Sequence, residues 1–328
     1  MNTRARERVI HLLQSSENIY IGTHIRPDGD ALGSLLGLTL ALEKQGKRVA
    51  LLCADPPPEN YLFLPGADRI SSSLPTWKAQ LGLVVDCDGL ERLGSIQPIF
   101  DALPHLVDID HHHTDHAFGE YRLVDSRAGA TAEIIRYLLK GMEVEVSPDV
   151  ATCLYTAILT DTGRFCFGNT TSHSLRIAAE MVEAGANPHQ IARRIYEKRS
   201  MEATHLLGLA LSRLSSDLEG QVVSVMLTRD DFEQTGAAPS DTEGIIDHLR
   251  AISGPRVALL LVEPQNGGVR VSLRSDGSVD VSEIALSFGG GGHMMAAGCT
   301  VEGNAEEVRR RMLAAIGQTL ARAGAQDA

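Results

Sequence analysis

The sequence predicts an α/β protein with two domains, a parallel sheet in the first and a smaller α+β fold in the second. A strand, a helix and a second strand follow one another over residues 19–53, which is typical of a βαβ unit in a parallel sheet. After about residue 200 the pattern changes to alternating strands with covering helices. With 328 residues, the chain is also long for one core. We expect a first domain over 1–190, a helical linker over 191–215 and a second domain over 216–328.

The elements expected in the first domain alternate along the chain. Strands are predicted at 19–23, 49–53, 83–85, 106–109 and 121–124, and helices at 3–15, 31–43, 130–140, 148–160, 173–184 and 188–198. Gly33 and Gly37 lie one turn apart in the helix over 31–43, where they allow close packing against a neighbouring element. Gly46 then ends that helix as a C-cap would.

The second domain is expected to begin after a connecting helix. Its predicted elements are a helix at 201–215, strands at 222–227, 257–262 and 269–273, and helices at 241–251 and 304–322. The segment Val269–Leu273 alternates as a half-buried strand should, and Gly267-Gly268 before it predicts a hairpin turn. We expect the two later helices to cover one face of this sheet.

Charge and cysteine content narrow the class of protein. The net charge of −12 argues against a protein that tracks long nucleic acid through a basic groove, but allows a short phosphorylated ligand held by a few arginines and metal ions. The five cysteines are scattered without a C-x-x-C pair, as expected for reduced thiols. The N-terminus lacks a secretory apolar core, and no apolar run reaches the roughly 20 residues of a membrane span. We therefore expect a cytoplasmic protein without a membrane partner.

Four segments of the first domain place acidic or imidazole groups at strand ends or adjoining turns, where open α/β sheets bind ligands. The residues are His24, Asp28 and Asp30; Asp86; Asp110, His111 and His112; and Asp161. Each segment alone has a simpler explanation: a helix cap at Asp28 or Asp30, a turn at Asp86, or a solvated loop at the histidines. Together they predict one site of oxygen and nitrogen ligands without sulfur, suited to Mn²⁺, Mg²⁺ or catalytic Zn²⁺. So many ligands favour two metals sharing a carboxylate, an arrangement that serves in-line displacement at phosphorus.

The second domain contains a run of four glycines, Gly289–Gly292, followed by His293. Such a loop lets backbone N–H groups approach a phosphate or a base closely, although a flexible linker is the alternative. Upstream, Arg270 and Arg274 lie on the same alternation and are predicted to point the same way. They suit a phosphate or carboxylate, and their alternative is a solvated strand face.

These segments resemble a known family. His24–Ser34, Val84–Asp86, Asp110–His112 and Thr160–Gly163 resemble the four motifs of DHH phosphoesterases. Ser272–Ser275, Gly289–His293 and Ala296–Gly298 look like the DHHA1 domain that accompanies them. The resemblance covers nearly the whole chain and is greatest to the bacterial branch of nanoRNases (oligoribonucleases) and pAp phosphatases.

The resemblance implies a role for each matching residue. His24 and Asp28 would hold one Mn²⁺, with Asp30, His111 and Asp161 holding a second and Asp86 bridging the two; Mg²⁺ is the alternative metal. His112 would contact the scissile phosphate and Asp110 would orient an imidazole, so that the catalytic residues are His112, Asp110 and Asp86. The substrate would be bound by Arg270, Arg274, Ser275, Gly290, Gly291, Gly292 and His293. His113 and His116 have no assigned role.

The implied activity is hydrolysis of a phosphoester bond, with a metal-bridging hydroxide attacking phosphorus in line in a cleft between the two domains. The substrate would be a short oligoribonucleotide or 3′-phosphoadenosine 5′-phosphate (pAp), and a homodimer is also allowed for. One alternative is a cyclic dinucleotide or its linear pApA-type product. Pyrophosphate or polyphosphate is a more distant alternative, because those relatives have a different second domain. A non-enzymatic nucleotide sensor predicts a missing ligand, and none of the six is missing.

Overall fold

A computed structural model describes residues 3–112, 117–197, 199–264 and 267–326. The chain divides into two compact units, Met1–Lys198 and Arg199–Ala328. Within the described residues, every helix is too short or too polar to cross a membrane. The two-domain α/β prediction is confirmed, with a parallel sheet in the first unit and a mixed sheet in the second.

The first unit is built on a five-stranded parallel sheet in the order β2-β1-β3-β4-β5. Its elements are α1 (Thr3–Ser15), β1 (Asn18–Gly22), α2 (Gly29–Lys44), β2 (Arg48–Leu52), β3 (Leu81–Val85), α3 (Gln97–Asp101), β4 (Leu106–Asp110), β5 (Tyr121–Val124), α4 (Thr131–Gly141), α5 (Pro148–Asp161), α6 (Ser172–Glu183) and α7 (Pro188–Tyr196). Strand β3 is buried at all five positions, as expected of a central parallel strand covered on both faces. The predicted strands and long helices of this unit are all present, with shifts of one or two residues at most of their ends.

The strand order places a topological switch point beside β1. The chain passes from β1 to β2 on one side and then crosses back to β3 on the other, so β1 pairs in parallel with both. In sheets of this kind the connections leave the carboxyl edge in opposite directions at the switch point and open a crevice there. His24 follows β1 and Asp86 follows β3, so the sequence places both residues at this crevice.

Helices α2 and α5 pack closely, and two glycines of α2 permit it. A Cβ atom at Gly33 would lie 2.4 Å from the carbonyl oxygen of Cys153, and one at Gly37 would lie 2.8 Å from a methyl carbon of Leu154. The predicted close packing at these glycines is confirmed, and α5 is the partner. The contact holds the start of α2, with Asp28 and Asp30, against the helix that ends at Asp161.

The second unit contains a six-stranded mixed sheet in the order β10-β11-β9-β8-β7-β6. Its elements are α8 (Met201–Ser212), β6 (Ser215–Asp217), β7 (Val222–Leu227), α9 (Arg229–Thr235), α10 (Ile245–Arg250), β8 (Val257–Val262), β9 (Val269–Ser275), α11 (Val281–Ser287), β10 (Gly291–His293), β11 (Ala296–Val301) and α12 (Ala305–Gln326). Only β7 and β8 pair in parallel, whereas the other pairs are antiparallel. The sequence missed α9, α11 and three strands, β6, β10 and β11.

Helices cover both faces of this sheet, so the prediction that α10 and α12 share one face is wrong. Along β8, Val257 and Leu259 join a core with residues of α11 and α12. The intervening Ala258 and Leu260 join a separate core with residues of α8, α9 and α10. The physical reason is that β8 is apolar at all six positions and β7 at five of its six, and both faces of such strands must be buried.

The four-glycine segment forms a β-hairpin and not a free loop or a linker. Gly291–His293 pairs antiparallel with Ala296–Gly298 at the edge of the sheet. A Cβ at Gly290 would lie 2.2 Å from the carbonyl oxygen of Gly298, and Gly292 has φ of 137° and an equally crowded Cβ position. Strand pairing by itself therefore requires glycine at both positions.

The α2–α5 contact gives a prediction for stability. Gly33→Ala should lower the free energy of unfolding by roughly 1–3 kcal/mol, because the new methyl group meets a backbone carbonyl that cannot rotate away. Gly37→Ala is the matched control in the same helix. There the flexible Leu154 side chain can shift, and the better helix propensity of Ala, worth up to about 1 kcal/mol, offsets the crowding.

The measurement is urea unfolding of both variants and of the wild type, monitored by circular dichroism. Equal losses in the two variants would show that the backbone contact at Gly33 does not limit the approach of α2 to α5.

Candidate metal centre

The turn after β1 supplies the first two side chains. His24 is buried, and its Nδ1 lies 2.7 Å from the carbonyl oxygen of Ile25. Because a carbonyl oxygen only accepts, Nδ1 carries the proton and Nε2 can serve as a ligand. Asp28 is the N-cap of α2, and its Oδ1 accepts from the amides of Asp30 and Ala31. The capping role that the sequence left open is therefore present at Asp28.

Asp30 lies in the first turn of α2 and is almost fully buried. Its Oδ2 accepts from the backbone amide of Thr131 at 2.6 Å, and its Oδ1 accepts from the amide of Ala132 and the hydroxyl of Ser34. The start of α4 thus donates two amides to this carboxylate, as helix N-termini do to anions. Asp30 ties α2 to α4 at the carboxyl edge of the sheet.

Asp86 lies at the centre of the group. Its backbone has a φ of 55°, an uncommon left-handed conformation directly after β3 that Asp tolerates better than most residues. Its Oδ1 accepts from the hydroxyl of Thr131 at 2.9 Å, and its Oδ2 lies 3.8 Å from Nε2 of His24. Asp86 is shared by three sets whose ligand atoms lie within 4.8 Å of one another: His24 with Asp28, Asp30 with His111, and Asp110 with His112.

His111 faces three carboxylates. Its Nε2 lies 3.5 Å from Asp161 Oδ2, 3.6 Å from Asp86 Oδ1 and 3.8 Å from Asp30 Oδ2. These distances exceed those of N–H···O hydrogen bonds but leave room for a shared cation. On its other side, Nδ1 lies 3.1 Å from the carbonyl oxygen of Ala128, which again makes Nε2 the ligand nitrogen.

Asp110 and His112 form a hydrogen-bonded pair beside this set. Nδ1 of His112 donates to Oδ1 of Asp110 at 2.7 Å, and the backbone amide of His111 donates to the same oxygen. Burial opposes protonation of His112, but this hydrogen bond and the charges of Asp110 and neighbouring carboxylates raise its pKa to about 9. His112 therefore carries a positive charge at neutral pH while its side chain stays partly exposed.

Asp161 reaches the group from the C-terminal end of α5. Its Oδ2 accepts from the side-chain amide of Asn169 at 3.2 Å, and the same amide bridges to the carbonyl oxygen of Gly129. Burial and the nearby charges of Asp30 and Asp28 raise the pKa of Asp161 to about 7. All six predicted metal ligands, together with Asp110 and His112, thus lie at one edge of the first sheet.

The carboxylates that lie close together at this edge show whether the residues present fit a metal ion. Burial, followed by the charges of Asp30, Asp28, Asp110 and Asp161, raises the pKa of Asp86 well above its ordinary value. Oδ2 of Asp110 is buried without a hydrogen-bond partner among the described residues. Buried like charges are costly unless a cation neutralises them, and hard oxygen donors with imidazole nitrogen suit Mn²⁺ or Mg²⁺. The residues present fit a divalent metal site.

Two residues that sequence reasoning missed support this group. Thr131 donates its hydroxyl to Asp86 and its amide to Asp30, and Asn169 donates to Asp161. Thr131 is the first residue of α4 and the second of the helix predicted over 130–140, and this position at a helix start is the signal that could have indicated it. Asn169 lies between two helices in a segment without a recognisable pattern. The predicted histidines His113 and His116 lie outside the described residues.

The predicted substrate residues all lie in the second unit. Arg270 and Arg274 are half-buried on the face of β9 that α10 covers, so the alternative of a solvated strand face does not apply. Arg270 donates to the hydroxyl of Thr242, whereas Arg274 donates to the carbonyl oxygen of Leu273 and lies 4.0 Å from Asp247. Burial lowers the pKa of Arg274.

The remaining predicted substrate residues differ in their surroundings. Ser275 is buried at the end of β9, and His293 is exposed at the end of β10. Gly290 and Gly292 are required by the hairpin, but a Cβ at Gly291 would meet nothing within 4 Å. The structure therefore explains two of the three glycines without a ligand.

Comparison with known proteins matches both parts of the chain to family models. Residues 18–158 match the DHH family, N-terminal domain, and residues 209–322 match the DHHA1 domain. The chain is 37% identical over 320 residues to the bifunctional oligoribonuclease and PAP phosphatase NrnA of Thermus thermophilus, an alignment that covers 96% of this chain and 94% of that protein. It is 29% identical to the protein of the same name from Bacillus subtilis, covering 89% and 92% of the two chains.

A solved structure is also similar along nearly the whole chain. The crystal structure of an exopolyphosphatase-related protein from Bacteroides fragilis has a TM-score of 0.89 and 25% sequence identity, covering 98% of this chain and 96% of that one. The two matched domains lie in order along the sequence, and the relatives align from end to end. The chain therefore belongs to the DHH/DHHA1 family of phosphoesterases.

Proposed function

We propose that this phosphoesterase hydrolyses short oligoribonucleotides and 3′-phosphoadenosine 5′-phosphate in the cytoplasm. The names of the Thermus thermophilus and Bacillus subtilis relatives describe both activities, and the alignments extend over both domains. The observation that carries the proposal is the meeting of three carboxylates with Nε2 of His111 at 3.5–3.8 Å. The net charge of −12 supports a short substrate, since a long one would meet unfavourable charge beyond the site.

We propose that the centre holds two divalent cations, with Mn²⁺ as the preferred ion and Mg²⁺ as an alternative. His24 and Asp28 would bind one and Asp30, His111 and Asp161 the other, with Asp86 shared. The position of Asp86 in three overlapping ligand sets supports its bridging role. When bound, such a pair of cations activates water and neutralises charge on the phosphoryl oxygens during in-line displacement.

The protein's own side chains then hold and orient the reacting groups. His112 would donate from Nε2 to an oxygen of the scissile phosphate, because its Nδ1 is engaged with Asp110. Asp110 would keep the ring protonated and in one orientation, as carboxylate partners of catalytic histidines do. Thr131 would fix Asp30 and Asp86 through its two hydrogen bonds, so that the carboxylates need little rearrangement during turnover.

The proposed contribution of the second domain is recognition of the nucleotide. Arg270 and Arg274 would pair with a phosphate, and Ser275, the segment Gly290–Gly292 and His293 would contact the same end of the substrate. The half-buried guanidinium of Arg274 supports this role, since the closest carboxylate among the described residues, that of Asp247, lies at 4.0 Å. The domain boundaries at 190 and 216, the cleft between the domains and the homodimer remain predictions.

A panel of substrates tests the proposed function. With Mn²⁺, the purified protein should release mononucleotides from dinucleotides and from a five-residue RNA, and should release phosphate from pAp. Turnover should be slower with cyclic dinucleotides and with pyrophosphate. Hydrolysis of pyrophosphate alone would contradict the proposal, and preference for a cyclic dinucleotide or pApA would favour that alternative.

Asp86→Asn tests the bridging assignment and separates activity from stability. We expect kcat with Mn²⁺ to fall at least 100-fold, because the neutral amide of Asn removes the negative charge that Asp86 would offer to both cations. The metal-free variant should nevertheless unfold at a higher temperature than the metal-free wild type. Burial, followed by the charges of neighbouring carboxylates, raises the pKa of Asp86, so the fold disfavours its ionised form, and a neutral amide at this position removes that cost.

The measurements are Mn²⁺-dependent turnover and thermal unfolding in a chelating buffer. Asp101→Asn is the control, because Asp101 is an exposed carboxylate at the end of α3. Appreciable residual activity in Asp86→Asn would remove Asp86 from the bridging position. A lower unfolding temperature would show that the carboxylate stabilises the metal-free fold.

Arg274→Ala tests recognition by the second domain. We expect KM for dinucleotides to rise by about 10- to 100-fold, the cost of a charge-assisted hydrogen bond to a phosphate, with much less effect on a small generic phosphodiester. Arg229→Ala is the control within the same unit, since the exposed Arg229 contacts only the carbonyl oxygen of Pro264 in the described contacts. Equal losses on both substrates would remove Arg274 from nucleotide recognition.

A further inference from the structure

One arginine of the first unit is close to the metal centre and has no role in the proposals above. Arg92 lies in the 3₁₀ segment Leu90–Ile96, six residues after Asp86. Its Nη2 lies 3.5 Å from Nδ1 of His24, and its side chain is 38% exposed. The guanidinium is therefore at the rim of the centre, where solvent and a ligand can reach it.

The backbone of Arg92 is held firmly against the turn that carries His24. The amide of Ile25 donates to the carbonyl oxygen of Arg92 at 2.7 Å, and the adjoining Leu93 is fully buried. Gly94 has a φ of 58°, and a Cβ there would lie 2.6 Å from a methyl carbon of Ile25. Glycine at this position lets the segment approach the turn, so the backbone of Arg92 is held beside His24.

Among the described residues, no carboxylate lies within hydrogen-bond distance of the Arg92 side chain. The nearest is Asp88, whose Oδ1 lies 3.9 Å from Nη1, and Nε of Arg92 is buried without a hydrogen-bond partner among the described residues. Nδ1 of His24 does not accept from it, because that nitrogen donates to the carbonyl oxygen of Ile25. By contrast, four other arginines of this unit hold a carboxylate within 3.0 Å; they are Arg69, Arg122, Arg127 and Arg136.

We propose that Arg92 binds the scissile phosphate of the substrate from the side of the centre formed by His24. A guanidinium presents paired donors that match two oxygens of a phosphate, and it keeps its charge next to other cations. The inference rests on the proposed function in that the ligand is a phosphate ester. It adds a cationic contact from the first domain that does not depend on the base or on the second domain.

This placement predicts a loss that is the same for large and small substrates. Arg92→Ala should lower kcat/KM by roughly 100- to 1,000-fold for both a dinucleotide and bis(4-nitrophenyl) phosphate, because the phosphate is common to both. Arg92→Lys should recover part of the loss, since it keeps the charge but not the paired donors. Arg127→Ala is the matched control, because Arg127 is exposed and forms a two-point contact with Asp125.

Two binding measurements separate contact with phosphate from a structural role. Calorimetry of the Mn²⁺-loaded protein should show weaker binding of inorganic phosphate to Arg92→Ala than to the wild type. A separate titration with Mn²⁺ should give the same stoichiometry and affinity for Mn²⁺ in the variant and the wild type. Unchanged phosphate binding, or a parallel loss of Mn²⁺ affinity, would overturn the proposal and indicate that Arg92 acts through His24. If the wild type hydrolyses neither dinucleotides nor pAp, the proposed function fails, while the generic ester and phosphate binding still decide the role of Arg92.

Discussion

Electrostatic repulsion among buried carboxylates is the constraint on which the first domain depends. Asp30, Asp86 and Asp110 are almost fully buried at one edge of the sheet, with Asp28 and Asp161 nearby. Repulsion of this kind raises the free energy of the metal-free fold and is relieved only by protons or by bound cations. The surrounding hydrogen bonds from Thr131, Asn169 and the start of α4 reduce the cost without removing it. A bound divalent cation would therefore offset the same repulsion that disfavours the metal-free arrangement.

Much of this arrangement could be predicted because it follows from local patterns. Apolar strands separated by helices indicate a parallel sheet, and the carboxyl ends of such strands meet at one edge. The charged residues that end β3 and β4 were therefore expected to lie together. The same reasoning could not assign separate roles to Asp28 and Asp30. One caps its own helix and the other accepts amides from α4, a difference that depends on tertiary packing.

Other features were hidden because their signals are weak or ambiguous. A strand made of Gly291, Gly292 and His293 has no β propensity, and only its pairing with β11 forms it. The second sheet was expected to have one covered face, although the unbroken apolar run of β8 indicates burial on both sides. Arg92 follows no motif, and its nearness to His24 arises from the turn at Gly94. Whether a single charged residue lies near a site can be seen only from the folded chain around it.

The contact between α2 and α5 has a consequence for the metal centre as well as for stability. Helix α2 carries Asp28 and Asp30 at its start, and α5 ends at Asp161, so the distance between the helix axes determines the span between these carboxylates. That distance is limited at Gly33 by the carbonyl oxygen of Cys153. Gly33, three residues after Asp30 and without a side chain, thereby limits how closely the two helices that carry these carboxylates approach each other. A substitution in this helix interface would then move the carboxylates of α2 and α5 relative to one another without changing any of them.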